Sequence, residues 1–217
     1  MPVKLPRPVF DANTSGGALG ALPEWDLSDL YTATDAAEFT RDMTWLEKEC
    51  AGFAADFQGR LAALDAPAML ECIHRYERIE SVAGRIMSFA GLRYYQNTVD
   101  AGRAKFMSYC QDKITAYTTP LVFFSLEFNR IEDKVYLELF AANDDIARYK
   151  PVFDRMRAMR PHQLSDEMER FLHDQSTVGA SAWNKLFDET MAGLEFTVEG
   201  EAAPLNLEAT LNLLSEP

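Results

Sequence analysis

Three histidines, at positions 74, 162 and 173, are the residues that could bind a catalytic zinc ion. A helical zinc motif, His-Glu-x-x-His, places two imidazoles on one helical face toward the ion, with a glutamate beside the bound water. No two histidines of this chain are four residues apart, so that motif is absent. His162 and His173 could approach each other in space, but we interpret them as a turn residue and a solvated helix residue.

A second metal-binding pattern is half present. Glu71 and His74 match the Glu-x-x-His of ferritin-like di-iron bundles, which need that pattern twice together with a glutamate from each of two other helices. No second copy occurs in the sequence, and a solvated carboxylate beside a surface histidine explains the pair. We therefore predict neither iron nor manganese in the purified protein.

Residues for covalent catalysis or phosphate binding lack a recognisable setting, since the sequence contains no Gly-x-Ser-x-Gly and no Gly-Lys-Ser/Thr. Cys50, Cys72 and Cys110 form no Cys-x-x-Cys, which indicates buried thiols in a reducing compartment. A basic run at 155–160 holds three arginines, which we expect to pair with the terminal carbonyls of their own helix or with neighbouring carboxylates. We predict no catalytic, cofactor-binding or metal-binding residue in this chain.

The charge of the chain excludes several partners. Its 21 Lys and Arg stand against 34 Asp and Glu, giving a net charge of −13 over 217 residues. Such a field repels phosphate backbones and anionic lipids, so we expect no nucleic acid or membrane partner. The longest apolar stretch, 120–126, is too short to span a bilayer, and the first residues lack the apolar segment of a secretory signal. We expect a cytoplasmic protein.

Apolar residues recur at three- and four-residue steps along most of the chain, which predicts an all-α fold. We expect an antiparallel bundle of about six helices with a small C-terminal β-hairpin. The first helix should begin at Asp35, with Glu38 completing a capping box, and end near Gly59. The second should open at 65–67 and stop around 97–98.

A third helix should begin near Asp100, and Pro120 leaves two alternatives within it. Either the helix kinks at the proline, or Thr119 caps a new helix with Pro120 in its first position. After Gly193, alternating apolar and polar residues predict the hairpin, with a turn at 199–201. The remaining helices are predicted over 133–141, 144 to about 159, 165–186 with Ser165 as its cap, and 208–214.

Four segments, in this order along the chain, resemble the N-terminal region of oligoendopeptidase F, a cytoplasmic zinc metallopeptidase of the thimet-oligopeptidase-like group. They are residues 25–31 (WDLSDLY), 90–95 (AGLRYY), 161–169 (PHQLSDEME) and 194–196 (LEF). The resemblance divides the chain into a flexible tail at 1–22, a helical N-terminal domain at 23–192, and a hairpin with a lead-in to a catalytic domain at 193–217.

The resemblance implies one wall of a channel that admits short unfolded peptides for zinc-dependent hydrolysis. No catalytic or zinc-binding residue is carried over, because the His-Glu-x-x-His of the family has no counterpart here. Zinc is expected in the catalytic domain outside this chain, and the chain alone is predicted to be inactive. The implied partners are short peptides and that catalytic domain, with self-association through apolar surface as a further expectation.

The alternative is a stand-alone helical module that binds a partner helix or peptide through the same aromatic stripes. The coding sequence beyond residue 217 separates the two, since a His-Glu-x-x-His there selects the peptidase and a stop codon selects the module. Tyr94, Tyr95 and His162 are conceivable peptide contacts in either case. We assign Tyr94 to core packing and His162 to loop anchoring, so neither is taken as a site residue.

Overall fold

The fold is described by a computed structural model covering residues 25–215. The all-α architecture with a C-terminal hairpin is confirmed, whereas the tail predicted at 1–22 lies outside the described residues and the domain division stays a prediction. Within the described part there are ten α-helical segments: α1 Ala37–Phe57, α2 Ala66–Gln96, α3 Ala101–Thr118, α4 Phe123–Arg130, α5 Asp133–Ala141, α6 Asp144–Ala147, α7 Lys150–Ala158, α8 Asp166–Asp174, α9 Ala180–Ala192 and α10 Leu207–Asn212. The hairpin pairs β1 (Glu195–Phe196) with β2 (Leu205–Asn206) in antiparallel register.

The start of α1 differs from the predicted capping box. Its N-cap position is Ala36, whose methyl group cannot accept a hydrogen bond, so Asp35 does not cap the helix. The Glu38 carboxylate does reach back, but its partner is Thr32. It accepts hydrogen bonds from the Thr32 amide at 3.4 Å and from the Thr32 hydroxyl at 2.7 Å. The start of α1 is therefore stabilised by hydrogen bonds to the preceding loop, not by a capping box within the helix.

The next two helices begin where the sequence predicts, and an aspartate caps each of them. The Asp65 carboxylate accepts a hydrogen bond from the Ala68 amide at 2.9 Å, and Asp100 does the same from Arg103 at 2.9 Å. Between these caps α2 runs for 31 residues and ends at Gln96, as its pattern predicts. This long helix packs against both α1 and α3 and forms the centre of the fold.

Three predicted helices are interrupted, which explains why the structure has more segments than the sequence suggests. Pro120 lies in a 3₁₀ turn, Thr119–Val122, that separates α3 from α4. After α6 the chain breaks, and α7 begins at Lys150 with Pro151 in its first turn. The helix predicted over 165–186 divides between α8 and α9 at Gly179, where a Cβ atom would meet the Gln175 carbonyl oxygen at 3.0 Å.

The core is aromatic and lies in the first two thirds of the chain. Phe128 is stacked on Phe153 with 4.0 Å between ring centroids, and Phe53 lies 5.9 Å from both Phe123 and Phe124. Such pairs stabilise a core beyond the apolar area that they bury. The three cysteines are fully buried, as predicted: Cys50, Cys72 and Cys110. Among residues 25–215, no helix has the length and apolarity that crossing a membrane requires.

Candidate functional site

A cavity of about 700 Å³ lies between α2, the junction of α3 with α4, and α8. This volume is in the range of small-molecule sites. Its wall from α2 contains Tyr76, Glu80, Ala83, Gly84 and Met87. The opposite side is completed by Ile114, Thr118, Leu121, Val122, Ser125, Glu169, Leu172 and His173.

Helix α8 is capped at its start and joined to α3 at its end. Ser165 caps its start, as predicted, by accepting a hydrogen bond from the Met168 amide at 3.3 Å. At its other end, His173 Nε2 lies 3.1 Å from Thr118 Oγ1, whose own hydrogen goes to the Ile114 carbonyl. We therefore assign the proton of this contact to the imidazole, which makes His173 a structural donor.

A second cavity, of about 530 Å³, lies on the other side of Tyr76 and Glu80. These two residues line both cavities, so the cavities adjoin across α2. We call the two cavities together the α2 groove. The remaining lining residues of the second cavity come from α2, α4 and the segment around α7: Ile73, Glu77, Ser81, Phe124, Tyr149, Val152, Phe153 and Met156.

The α2 groove is acidic, since its described lining residues include three glutamates but neither lysine nor arginine. Glu77 accepts a hydrogen bond from the Tyr149 hydroxyl at 2.8 Å, and Glu169 accepts one from the Leu164 amide at 2.9 Å. In the described part of the chain, no lysine or arginine nitrogen lies within 4.0 Å of Glu80. Burial, reinforced by the charge of Glu80, raises the pKa of the Tyr76 phenol, so it stays neutral at any physiological pH.

A separate feature is the apolar surface of the C-terminal region. From residue 159 to residue 214 no side chain is buried, although this stretch is rich in large hydrophobic residues. Trp183 is 71% exposed, which is unusual for the largest apolar side chain. We define the C-terminal apolar surface by its exposed members on and beside α8 and α9: Leu164, Met168, Phe171, Leu172, Val178, Trp183, Leu186 and Phe187.

Two arginines of the basic run at 155–160 make structural contacts. The predicted pairing with a neighbouring carboxylate is found, but the carbonyls that Arg157 reaches lie at the end of another helix. Arg157 donates to the carbonyl oxygens of Phe128 at 3.1 Å and Ile131 at 2.9 Å, where α4 ends. It also pairs with Asp133 at 2.5 Å, and Arg160 reaches the same carboxylate at 3.0 Å. These arginines hold the α4–α5 corner against α7.

The residues considered for metal binding do not converge. Glu71 and His74 are exposed on α2, with the His74 ring 6.0 Å from the Tyr149 ring, and His162 is exposed in a 3₁₀ turn. Within residues 25–215, no three histidine, cysteine, aspartate or glutamate side chains are grouped so that they could hold a metal ion. The residues present do not fit a zinc centre, and no zinc-dependent step is assigned to them.

The two tyrosines considered as peptide contacts lie apart from the α2 groove. Tyr94 is buried, which confirms its assignment to the core, and its hydroxyl has no partner among the described residues. Tyr95 is 59% exposed beside it, with 5.3 Å between the ring centroids. Sequence reasoning missed Tyr76 and Glu80, whose spacing of four residues on α2 is the signal that places them on one face.

Comparisons with known proteins agree with the predicted resemblance. Residues 127–196 match the N-terminal family model of the M3 peptidases that is described as Oligopeptidase F. The fold matches the crystal structure of oligoendopeptidase-F from Enterococcus faecium with a TM-score of 0.72 and 20% sequence identity. That match covers 85% of this chain but 36% of the other, so this chain spans about a third of that protein. The curated proteins gave no match. The resemblance to the N-terminal region of oligoendopeptidase F is confirmed, and at this identity the structural match is one of fold.

Proposed function

We propose that this chain is the N-terminal, channel-forming part of a cytoplasmic zinc metalloendopeptidase that hydrolyses short peptides. In this proposal the zinc ion and the residues that hold it belong to a catalytic domain outside residues 1–217. The helices described here form a wall that admits an unfolded peptide and excludes a folded protein. The zinc ion of that domain would polarise the scissile carbonyl of the peptide and activate a water for the attack.

The observation that carries the proposal is the C-terminal apolar surface. A monomeric soluble domain rarely exposes a large contiguous apolar patch that does not serve an interface. Here Phe171 and Phe187 are 56% and 62% exposed, and they lie within the stretch that matches the family model. A catalytic domain packed against α8 and α9 would bury these side chains.

Peptide hydrolysis tests the proposal directly. The 217-residue chain supplied with zinc should not turn over an internally quenched octapeptide, whereas the same chain extended by the sequence encoded downstream should cleave it. Chelation should abolish that cleavage, and added zinc should restore it. Chelator-sensitive hydrolysis by the 217-residue chain itself would contradict the proposal, as would an extended chain that binds zinc and leaves the peptide intact.

A stand-alone binding module is the second candidate, because an exposed aromatic surface also serves as a docking site for a partner helix. Its supporting observation is the same exposure of Trp183 and its neighbours. A stop codon directly after residue 217 would select this candidate. A downstream His-Glu-x-x-His would select the peptidase.

A further inference from the structure

The α2 groove combines a peptide-sized volume with an uncompensated negative charge. Its two cavities, of about 700 and 530 Å³, adjoin at Tyr76 and Glu80, so together they extend to either side of α2. A single amino-acid side chain would fill only part of either cavity, because each has the volume of a site for a small organic ligand. The shape therefore suits a short extended segment of peptide.

The charge of the groove selects among peptides. Glu77 and Glu169 are hydrogen-bonded by neutral donors, and Glu80 has no lysine or arginine partner in the described part of the chain. All three negative charges thus face the groove without a counter-ion from the protein. Placing an opposite charge beside Glu80 is favourable, while an anionic residue there would be repelled.

The apolar lining of the groove indicates which kind of positively charged group it would bind. Ala83, Met87 and Leu121 line one cavity, and Ile73 and Val152 line the other. The methylene stems of lysine and arginine pack on such walls while their charged ends reach a carboxylate. A divalent cation is disfavoured, because within residues 25–215 no three histidine, cysteine, aspartate or glutamate side chains are grouped to hold one.

We infer that the α2 groove binds peptides that carry lysine or arginine between apolar residues, with Glu80 pairing with the cationic side chain. This inference rests on the proposed function, since it names the class of peptide that the channel would favour. Glu77 and Glu169 extend the negative potential to either side of Glu80. The apolar walls accept the residues that flank the cation.

Binding of two matched peptides to the 217-residue chain tests the inference. Both are decapeptides of leucine and alanine with an uncharged dye, and they differ in carrying three lysines or three glutamines. By fluorescence anisotropy at low salt, the lysine peptide should bind about tenfold more tightly, and that advantage should shrink at 0.5 M salt. Equal affinity for both peptides would overturn the inference.

Single-residue variants identify Glu80 as the selective group. Glu80→Gln should weaken binding of the lysine peptide about fivefold and leave the glutamine peptide unchanged. Glu71→Gln is the matched control, because Glu71 is an exposed glutamate of the same helix that does not line the groove. Equal losses in the two variants would show a general field effect and overturn the assignment. Glu80→Lys, with an unchanged circular dichroism spectrum, should remove the preference for the lysine peptide entirely.

The test of this inference can fail or succeed independently of the test of the peptidase proposal. If the extended chain cleaves lysine and glutamine peptides with equal kcat/KM, and Glu80→Gln changes neither value, the peptidase proposal stands and this inference fails. If the 217-residue chain prefers the lysine peptide while the extended chain shows no chelator-sensitive hydrolysis, the cationic site stands and the peptidase proposal fails.

Discussion

The region up to residue 158 and the region from 159 to 214 are both mainly helical, but they differ in what their apolar residues do. Every buried hydrophobic side chain in the described part lies between Tyr31 and Phe153. The second region has comparable amphipathic helices, yet Phe171, Trp183 and Phe187 face solvent. Amphipathicity forms a helix, whereas a core needs a second surface to pack against. In the first region the helices bury their apolar faces against one another. In the second region, in our proposal, a partner covers the apolar faces.

The largest expected contrast comes from truncating one phenylalanine in each region. Phe128→Ala should lower the free energy of unfolding by about 3–5 kcal/mol, because this fully buried ring is stacked on Phe153. Phe171→Ala should change it by less than about 0.5 kcal/mol, since that ring is 56% exposed. Urea denaturation followed by circular dichroism gives both values. Equal losses would mean that the second region also has a packed core.

Removing the Arg157 side chain should lower the free energy of unfolding by a smaller amount, through contacts within the first region. Its side chain is 10% exposed, and it bonds two main-chain carbonyls and the Asp133 carboxylate. Arg157→Ala should cost about 1–3 kcal/mol, because the carbonyls would be left without their donor. Arg41→Ala is the matched control, since Arg41 is 70% exposed and its ion pair is 3.6 Å long. A comparable loss in the control would refute the role assigned to the carbonyl contacts.

Removing the α8 cap should lower stability by a smaller amount again, and the effect should be confined to α8. Ser165→Ala removes the acceptor for the Met168 amide and should cost about 1 kcal/mol of helix stability. Hydrogen exchange should accelerate in α8 and remain unchanged in α2. Ser165→Asp serves as the control, because aspartate caps equally well and should preserve protection. Faster exchange throughout α1–α4 would show instead that the two regions unfold together.

The smallest expected effect is a pH dependence of the link between the regions. Arg130 donates to Asp166 at the start of α8 and lowers the pKa of that carboxyl below its ordinary value. Since the folded pKa is the lower one, the stabilisation is present above the unfolded pKa and is lost as the pH falls through the folded value. The protection of the α8 amides, corrected for the intrinsic exchange rate, should therefore fall below about pH 4. Arg130→Gln should remove that dependence, and a variant that keeps it would contradict the assignment.

Local signals along the sequence predicted much of the secondary structure. Asp65, Asp100 and Ser165 cap the helices that their positions indicate, and α5 has the predicted bounds of 133–141. The capping box at Asp35 was wrong, because Glu38 finds Thr32 in a loop whose path the sequence pattern does not fix. The break before α9 was also missed, since the close approach of Gly179 to the Gln175 carbonyl appears only once the turn is formed.

By itself the sequence determined the helical class, the Ser165 cap, the burial of the cysteines and the resemblance to the N-terminal region of oligoendopeptidase F. Those features follow from residue types within a few turns of one another and from short ordered motifs. The tertiary structure alone decided which apolar faces are buried and that Tyr76 and Glu80 line a groove. Such a groove depends on where α8 and α7 lie against α2, and side chains far apart in the chain hold them there, such as His173 on Thr118 and Tyr149 on Glu77.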